Sequence, residues 1–405
     1  MAEVFDVVII GGGAAGVAAG RFLAQTKASF RILEARDRVG GRAYTVERNG
    51  MALDLGCGWL HAAAHNYWRA EAEREGYELD SSPPPWGRRV GQSDFGASFA
   101  RFNERIEAGE REPDRPASDY LKPGDPANEM INSVCTYLNG VTLEHVSAHD
   151  YVRYDGAGGN LRAKIGYGGL ISALARALPI ELNTQARIVD HSGALIHIET
   201  NRGAVETKSV IVCAPTPVIA REHLRFAPAL PEAVELAGGL PLGTVDKIFV
   251  GVDEGALPPG EGRIFDRDIT LKHPSYDARP MGRPVIEAFI AGPLAAALEA
   301  EGARDAAAFV IDDLVGLLGE GARAKLHVLA VSDWGRDPLS LGSYSYARPG
   351  YAEARTTLSQ PMAERIFFAG EACAPAFFGT AHGAADTGIA AARLALDHIR
   401  RAARR

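Results

Sequence analysis

The chain has 405 residues, too long for one compact core, so two closely associated domains are expected. Hydrophobic residues make up 46% and charged residues 23%, the balance of a soluble globular protein, and no apolar stretch approaches ~18 residues, which excludes a membrane span. The net charge of −8 argues against nucleic-acid and anionic-membrane partners, which need a cationic face, and is compatible with a cationic small substrate.

Residues 4–10 read Val-Phe-Asp-Val-Val-Ile-Ile, the β-branched, nearly continuous run of a parallel strand buried on both faces. The run enters Gly11-Gly12-Gly13-Ala14-Ala15-Gly16, a GxGxxG pattern, and then an alanine-rich helical stretch to about residue 25. A second strand, 30–33, ends in Glu34, followed by Ala35 and Arg36. Gly11 permits a tight turn, Gly13 lets backbone N–H groups approach a pyrophosphate, and Gly16 lets helix and strand pack closely. The helix N-terminus, with Ala14 and Ala15, supplies partial positive charge to phosphates, and Glu34 can accept both ribose hydroxyls. Strand before, helix after and acid in place make this a dinucleotide site, which the glycines alone would not.

The next residues choose between NAD and FAD. The stretch 34–42, Glu-Ala-Arg-Asp-Arg-Val-Gly-Gly-Arg, adds a second glycine pair, Gly40 and Gly41, and Arg42. An NAD domain with one phosphate turn has no use for them, whereas an extended FAD continues past the first loop. Here the sequence strongly resembles the flavin-containing amine oxidase family, which includes monoamine oxidases, polyamine oxidases and histone lysine demethylases.

Further along, residues 50–61 form a short strand ending in small residues, suited to close approach of a flat ring, so Gly56, Cys57, Gly58 and Trp59 join the cofactor set. Residues 66–77 look helical, and the Ser-Ser-Pro-Pro-Pro run at 81–85 is extended, a domain crossover. Mixed helix and loop follow over 86–160, with a solvated polar face at 104–116. A glycine turn and amphipathic helix are expected over 166–180, then a β-meander from the runs 187–189, 194–200 and 204–207, with Ala186 at its start placed with the cofactor set. The strand 209–214 returns toward the first sheet. Pro-rich turns then separate strand-like runs such as 246–252, one helix is expected over 305–318, and a terminal helix runs from about 380 to about 400. The basic residues closing that helix complement its dipole. The fold expected is α/β: a discontinuous Rossmann-type FAD-binding domain of GR2-like kind (1–70, 165–215, 345–405) with a second, mixed α+β substrate domain (71–164, 216–344). The resemblance implies the same layout.

Four patches carry the chemistry. Phe368-Ala369-Gly370-Glu371, with the stretch 378–384, reads as a second FAD signature, in which Thr380 and Ala381 open a helix aimed at the flavin pyrimidine edge. The resemblance makes Glu371 the acid at the ribityl region. Lys247 stands alone in the apolar run 244–250. A solvated edge lysine is one reading; the resemblance implies a catalytic lysine bridged through a water to flavin N5, pushed toward neutrality by burial. The stretches 332–338 and 342–346 resemble the segment that passes the flavin ring in polyamine oxidases, implying Trp334 against the isoalloxazine. No cysteine lies between 333 and 350, where monoamine oxidases link their flavin, so non-covalent FAD is expected. The segment 58–61 resembles a Trp-Ile-His pattern of animal polyamine oxidases, which would set His61 at the substrate entrance, although a lone histidine is also a common structural residue. Thr380 stands where monoamine oxidases present one wall of an aromatic cage, and Tyr344 or Tyr346 could supply such a wall instead.

The function expected is FAD-dependent amine oxidation: hydride from the amine α-carbon to flavin N5, an imine that water hydrolyses, and O₂ reduced to H₂O₂. The partners are then a small amine and O₂, in a cytoplasmic monomer or homodimer without a metal. The four cysteines form no CxxC pair and read as free buried thiols. An amino-acid oxidase is an alternative and needs an arginine to clamp the carboxylate, for which Arg88, Arg89, Arg153 and Arg336 are available. A desaturase or a non-catalytic FAD-binding protein are the others. The resemblance covers nearly the whole chain and is specific in 5–42, 52–61, 244–249 and 334–384. The chain is shorter than typical members and lacks the coiled-coil insertion of the histone demethylases.

Overall fold

The N-terminal apolar run becomes the strand Val4–Ile10, with Val7, Val8 and Ile9 fully buried at the centre of an eight-stranded sheet. The computed structural model describes residues 4–84, 94–257, 262–263 and 270–404. Five strands of this sheet are parallel, in the order Ile180–Glu181, Phe30–Leu33, Val4–Ile10, Gly203–Val212 and Ile366–Phe368. This is the Rossmann arrangement, assembled from both ends and the middle of the chain. Gly203–Val212 is one long strand where the sequence suggests two. It continues through Lys208 because that side chain is exposed and paired with Asp6 at 2.8 Å. Its first half pairs antiparallel with Ile196–Thr200, which pairs in turn with Ala186–Asp190, so the expected meander is present.

The helices Ala14–Leu23 and Ala381–Ala402 pack on one face of the sheet through small residues, among them Ala15, Ala19, Ala384, Ala391 and Ala392. Gly388 permits the closest approach: a Cβ there would lie 2.2 Å from the Ala15 carbonyl oxygen. The longer helix is capped by Thr380, whose Oγ1 accepts from the Gly383 amide at 3.0 Å. On the other face, the helices Thr216–Ala220 and Pro231–Gly239 bury Ile219, Ala233 and Ala237, and Arg225–Ala227 adds a strand beside Ala186–Asp190. Residues 216–239 thus pack with the first sheet, not with the second unit to which the sequence reading assigns them.

The second sheet is antiparallel, in the order Gly262–Arg263, Ser275–Ala278, Val285–Ala291, Val245–Val252 and Leu326–Val331. One face buries Ile248, Val250, Ile286 and Ala288 against the helices Gly292–Glu301 and Ala303–Leu318. The other face packs Phe249, Val285 and Ala330 against Leu53 and Leu55, beside the hairpin Thr45–Arg48 and Met51–Asp54. A helical unit containing Asp94–Ala108, Asn128–Asn139 and Ala148–Arg153 closes around Phe102, Ile106, Ile131 and Cys135. All four cysteines are free, as expected. Among the described residues, no helix is long and apolar enough to cross a membrane.

Candidate active site

A single cavity of about 750 Å³ runs from the ends of the parallel strands to the face of the second sheet. Every residue assigned in the sequence to the cofactor or to catalysis lines it except Gly16. Gly16 acts beneath the turn: a Cβ there would lie 1.9 Å from the Gly11 carbonyl oxygen, so only glycine lets helix and strand meet. Gly11 has φ +105°, and its amide bonds the Leu33 carbonyl at 2.8 Å. The helix Ala14–Leu23 starts at Gly13 with no side-chain cap, so its first-turn N–H groups are left for an anion in the cavity. Glu34 is buried and anchored from both oxygens, by the Gly12 amide at 2.6 Å and the Arg36 amide at 2.8 Å. Burial raises its carboxyl more than these amides lower it. The Arg36 guanidinium forks onto Asp337 at 2.8 and 2.9 Å, tying this end to the segment that carries Trp334.

At the other end, Gly56 lies under the carbonyl of Arg42: an added Cβ would come within 1.7 Å of that oxygen and 3.2 Å of the Trp334 ring. Trp334 is fixed by its indole N–H to the Leu55 carbonyl at 2.9 Å. Arg42 donates to Glu371 at 2.8 Å and to the Ser343 carbonyl at 2.7 Å. Glu371 also accepts from the Ser345 hydroxyl at 2.6 Å and the Gly379 amide at 2.8 Å. Burial would raise its carboxyl, but the Arg42 charge and the Ser345 bond hold it below the ordinary value. These partners are protein groups, so Glu371 organises the segments around 343–345 and 379 about the cavity.

Lys247 lies in an interior strand of the second sheet, not at an edge, and is 6% exposed. Successive residues of a strand face opposite ways, so Asp246 turns to the helices and Lys247 to the cavity. The expected isolation of this lysine is corrected by its surroundings. Its Nζ lies 2.9 Å from Glu287 and donates to the Asp54 carbonyl at 3.2 Å. Burial would raise the Glu287 carboxyl, yet the charges of Lys247 and Arg162 outweigh it and hold the group at about 2. Lys247 therefore faces a carboxylate that is ionised at any ordinary pH. Arg162 stands 3.2 Å from Glu287 and 3.0 Å from Asp277 and lies over the Trp59 ring, 4.1 Å from its centroid. The sequence reading missed Glu287 and Arg162; a lone acid in the apolar run 285–291 is the signal that could have found the first.

His61 lines the cavity with Nδ1 donating to Asn160 at 2.6 Å. Burial lowers its pKa despite that bond, and the Lys247 charge lowers it further. His382 is buried behind it against the Phe377 ring and is pushed down to about 4 by burial, with His61 adding to the fall. The lining also includes an aromatic cluster, Tyr137, Tyr154, Phe289, Tyr344 and Phe378, which forms a chamber of the cavity on the Lys247 side. Tyr137 stacks on Phe289 with centroids 5.6 Å apart, and Tyr344 donates to the Tyr137 carbonyl. Tyr346 instead packs in the helical core. Of the arginines considered as clamps, Arg153 pairs with Glu353 and Arg336 donates to the Glu299 carbonyl at 2.8 Å, while Arg88 and Arg89 lie outside the described residues.

Behind Trp334, two carboxyls share one turn. Asp246 accepts from the Ser332 hydroxyl at 2.7 Å and the Trp334 amide at 3.1 Å, and Glu299 accepts from the Gly335 amide at 2.6 Å. Burial raises Asp246 to about 8, and its hydrogen bond and charge repulsion with Glu299 add to the rise. The folded chain thus holds a proton there that the unfolded chain releases. That contribution to stability is complete below the ordinary carboxylate range and is lost as pH rises through about 8. Asp246→Asn, which keeps the bonds without the ionisation, is expected to flatten the fall in unfolding midpoint between about pH 6 and about pH 9. Thermal melts of both proteins across that range check this; parallel falls would contradict it.

The sheet order, the glycine turn and the cavity at the strand ends define a dinucleotide-binding oxidoreductase fold. A family model described as flavin containing amine oxidoreductase matches residues 96–396, and one described as an NAD(P)-binding Rossmann-like domain matches residues 9–73. The chain belongs to the flavin containing amine oxidoreductase family and is a flavin-dependent oxidoreductase acting on amines. It is 27% identical to polyamine oxidase 5 of Oryza sativa subsp. japonica over 97% of this chain and 88% of that protein. Identity to polyamine oxidase 2 of Arabidopsis thaliana is 26%, over 96% and 87% of the two chains. Flavin-containing amine oxidase A of Equus caballus is 26% identical, over 98% and 86%.

Proposed function

We propose that the chain holds FAD non-covalently along this cavity and oxidises the C–N bond of a small amine, with O₂ as final acceptor. The observation that carries the reading is the continuity of the one cavity, from Glu34 past Lys247 and Trp334 to the aromatic chamber. Its residues fit the cofactor: the uncapped helix start and Gly11 turn suit a pyrophosphate, Glu34 the ribose, and the backbone at Gly56 a flat ring. Residues 56–59, Lys247, Trp334, Gly370, Thr380 and Ala381 would hold the flavin ring, and Ala35, Arg36, Ala186 and the turn would hold the adenosine half. Bound there, FAD would supply the redox chemistry, acceptance of a hydride from the amine α-carbon and delivery of the electron pair to O₂, with H₂O₂ and a hydrolysable imine as products.

The chain's own groups do the rest. The aromatic chamber excludes water and orients the amine. Lys247 presents an N–H beside Gly58, whose added Cβ would lie 3.2 Å from Nζ, and can hold a water or move a proton there. The N-terminus of Ala381–Ala402 supplies partial positive charge at the cavity. Two observations support a non-covalent cofactor. No cysteine lies in 333–350, and the thiols of Cys57 and Cys213 that do line the cavity are raised by burial, Cys57 to about 12, which keeps them out of the nucleophilic thiolate form. The described cavity arginines support an amine over an amino acid, since Arg36, Arg42 and Arg162 are each engaged by a carboxylate of the protein. We also read the chain as a cofactor domain and a substrate domain, the former enlarged by residues 216–239. Anaerobic addition of amines and amino acids to the purified holoprotein tests the reading: an amine is expected to bleach the flavin and amino acids are not.

A further inference from the structure

We infer that Glu287 is a positioning residue that fixes Lys247 in the cavity wall, with Arg162 as the outer charge that holds Glu287 in turn. The inference rests on the reading of Lys247 given above and adds to it the groups through which the lysine is set. Lys247 and Phe289 are directly opposed on adjacent antiparallel strands, as are Phe249 and Glu287, so Lys247 and Glu287 are diagonal neighbours on one face of the sheet. A lysine has a flexible four-carbon stem and three donors. Here the Glu287 carboxylate at 2.9 Å and the Asp54 carbonyl at 3.2 Å, on two different segments, take two of them. That fixes the nitrogen against the backbone at Gly58, on the cavity wall.

Glu287 has no freedom of its own. Its second oxygen is held by Arg162 at 3.2 Å, and Arg162 is held by Asp277 and by the Trp59 ring. Glu287 and Arg162 are each at most 9% exposed in their side chains. Stability is a weak reason for such an array, because replacing buried ion pairs by apolar side chains of similar volume is often neutral or stabilising. Placement of one ammonium group at one point of a cavity wall does explain it. Lys247 without Glu287 would keep its stem but lose the stronger of its two anchors.

The test is a double-variant cycle on the flavin-loaded protein, with kcat, KM for an oxidised amine and flavin content measured for each form. Glu287→Gln keeps the shape and removes the charge. It is expected to lower kcat about tenfold or more, since small misplacements of a catalytic group have effects of that size, with flavin content kept. In the Lys247→Met background the same change is expected to have no further effect on kcat, because its effect passes through the lysine. Should Glu287→Gln fail to fold, Glu287→Asp serves: it keeps the charge, shortens the reach, and its loss of kcat should also vanish with Lys247→Met. Wild-type kcat in the Glu287 variant, or an equal fold-loss in both backgrounds, overturns the inference. Wild-type kcat in Lys247→Met alone overturns the reading of Lys247, and the inference with it, and is distinguished by appearing in that single variant.

Discussion

Lys247→Met is expected to lower turnover by about a hundredfold or more while FAD stays bound. The size follows from what methionine removes: the ammonium on the cavity wall, 2.9 Å from Glu287, and with it the N–H that can hold a water or carry a proton. FAD should remain because the turn at residues 11–16, Glu34 and the platform at Gly56 are untouched. The variant also leaves Glu287 with Arg162 as its near counter-ion, so a loss of stability is expected as well, at most about 3 kcal/mol. Steady-state turnover with saturating amine, the visible flavin spectrum and a thermal melt separate these effects. A variant that turns over like the wild type would remove Lys247 from the chemistry.

The largest expected loss of stability lies behind the cavity wall, at residues that do not line it. Arg355 and Asp150 form an ion pair with side chains 1% and 0% exposed, through bonds of 2.6 and 2.8 Å. Arg355 also donates to the Ser345 hydroxyl at 2.7 Å and lies over the Phe378 ring, 3.9 Å from its centroid. Asp150 accepts the Ala347 amide at 2.9 Å, and Ser345 reaches Glu371. The pair therefore joins the helix Ala148–Arg153 of the helical unit to the segment that holds Glu371 and Arg42. Arg355→Met leaves Asp150 buried with its charge uncompensated, at a cost of about 3–5 kcal/mol. A clear drop in unfolding midpoint is expected, partly restored by adding Asp150→Asn, which needs no counter-ion. A melt of Arg355→Met indistinguishable from wild type would contradict the account of this pair.

How much of this was legible in the sequence depended on the range of the interaction. The turn at residues 11–16 could be read in full because its geometry is local: Gly11 needs its positive φ, and Gly16 must clear the Gly11 carbonyl. Lys247 could be read as an anomaly, a charge in a run otherwise buried. Glu287 in Val-Ile-Glu-Ala-Phe-Ile-Ala is the same anomaly with the opposite sign, and two such charges in apolar strands suggest each other as counter-ions. Arg162 and the Asp150–Arg355 pair gave no such signal, because polar residues in mixed segments reveal their burial only once distant segments meet. The placement of residues 216–239 was hidden for a related reason. The strand Arg225–Ala227 is three residues long, and its partner is set by sheet topology, not by its own composition. The aromatic chamber is likewise drawn from five separate stretches, around 137, 154, 289, 344 and 378.

The central claim, that a flavin in this cavity accepts electrons from an amine, is tested most directly by anaerobic titration of the flavin-loaded protein. A panel of primary, secondary and poly-amines, with amino acids beside them, is added in the absence of O₂, and the flavin's visible band is followed. The account predicts that at least one amine bleaches the band, that admitting O₂ restores it with release of H₂O₂, and that amino acids leave it unchanged. A band that no amine bleaches, or that amino acids alone bleach, would contradict it.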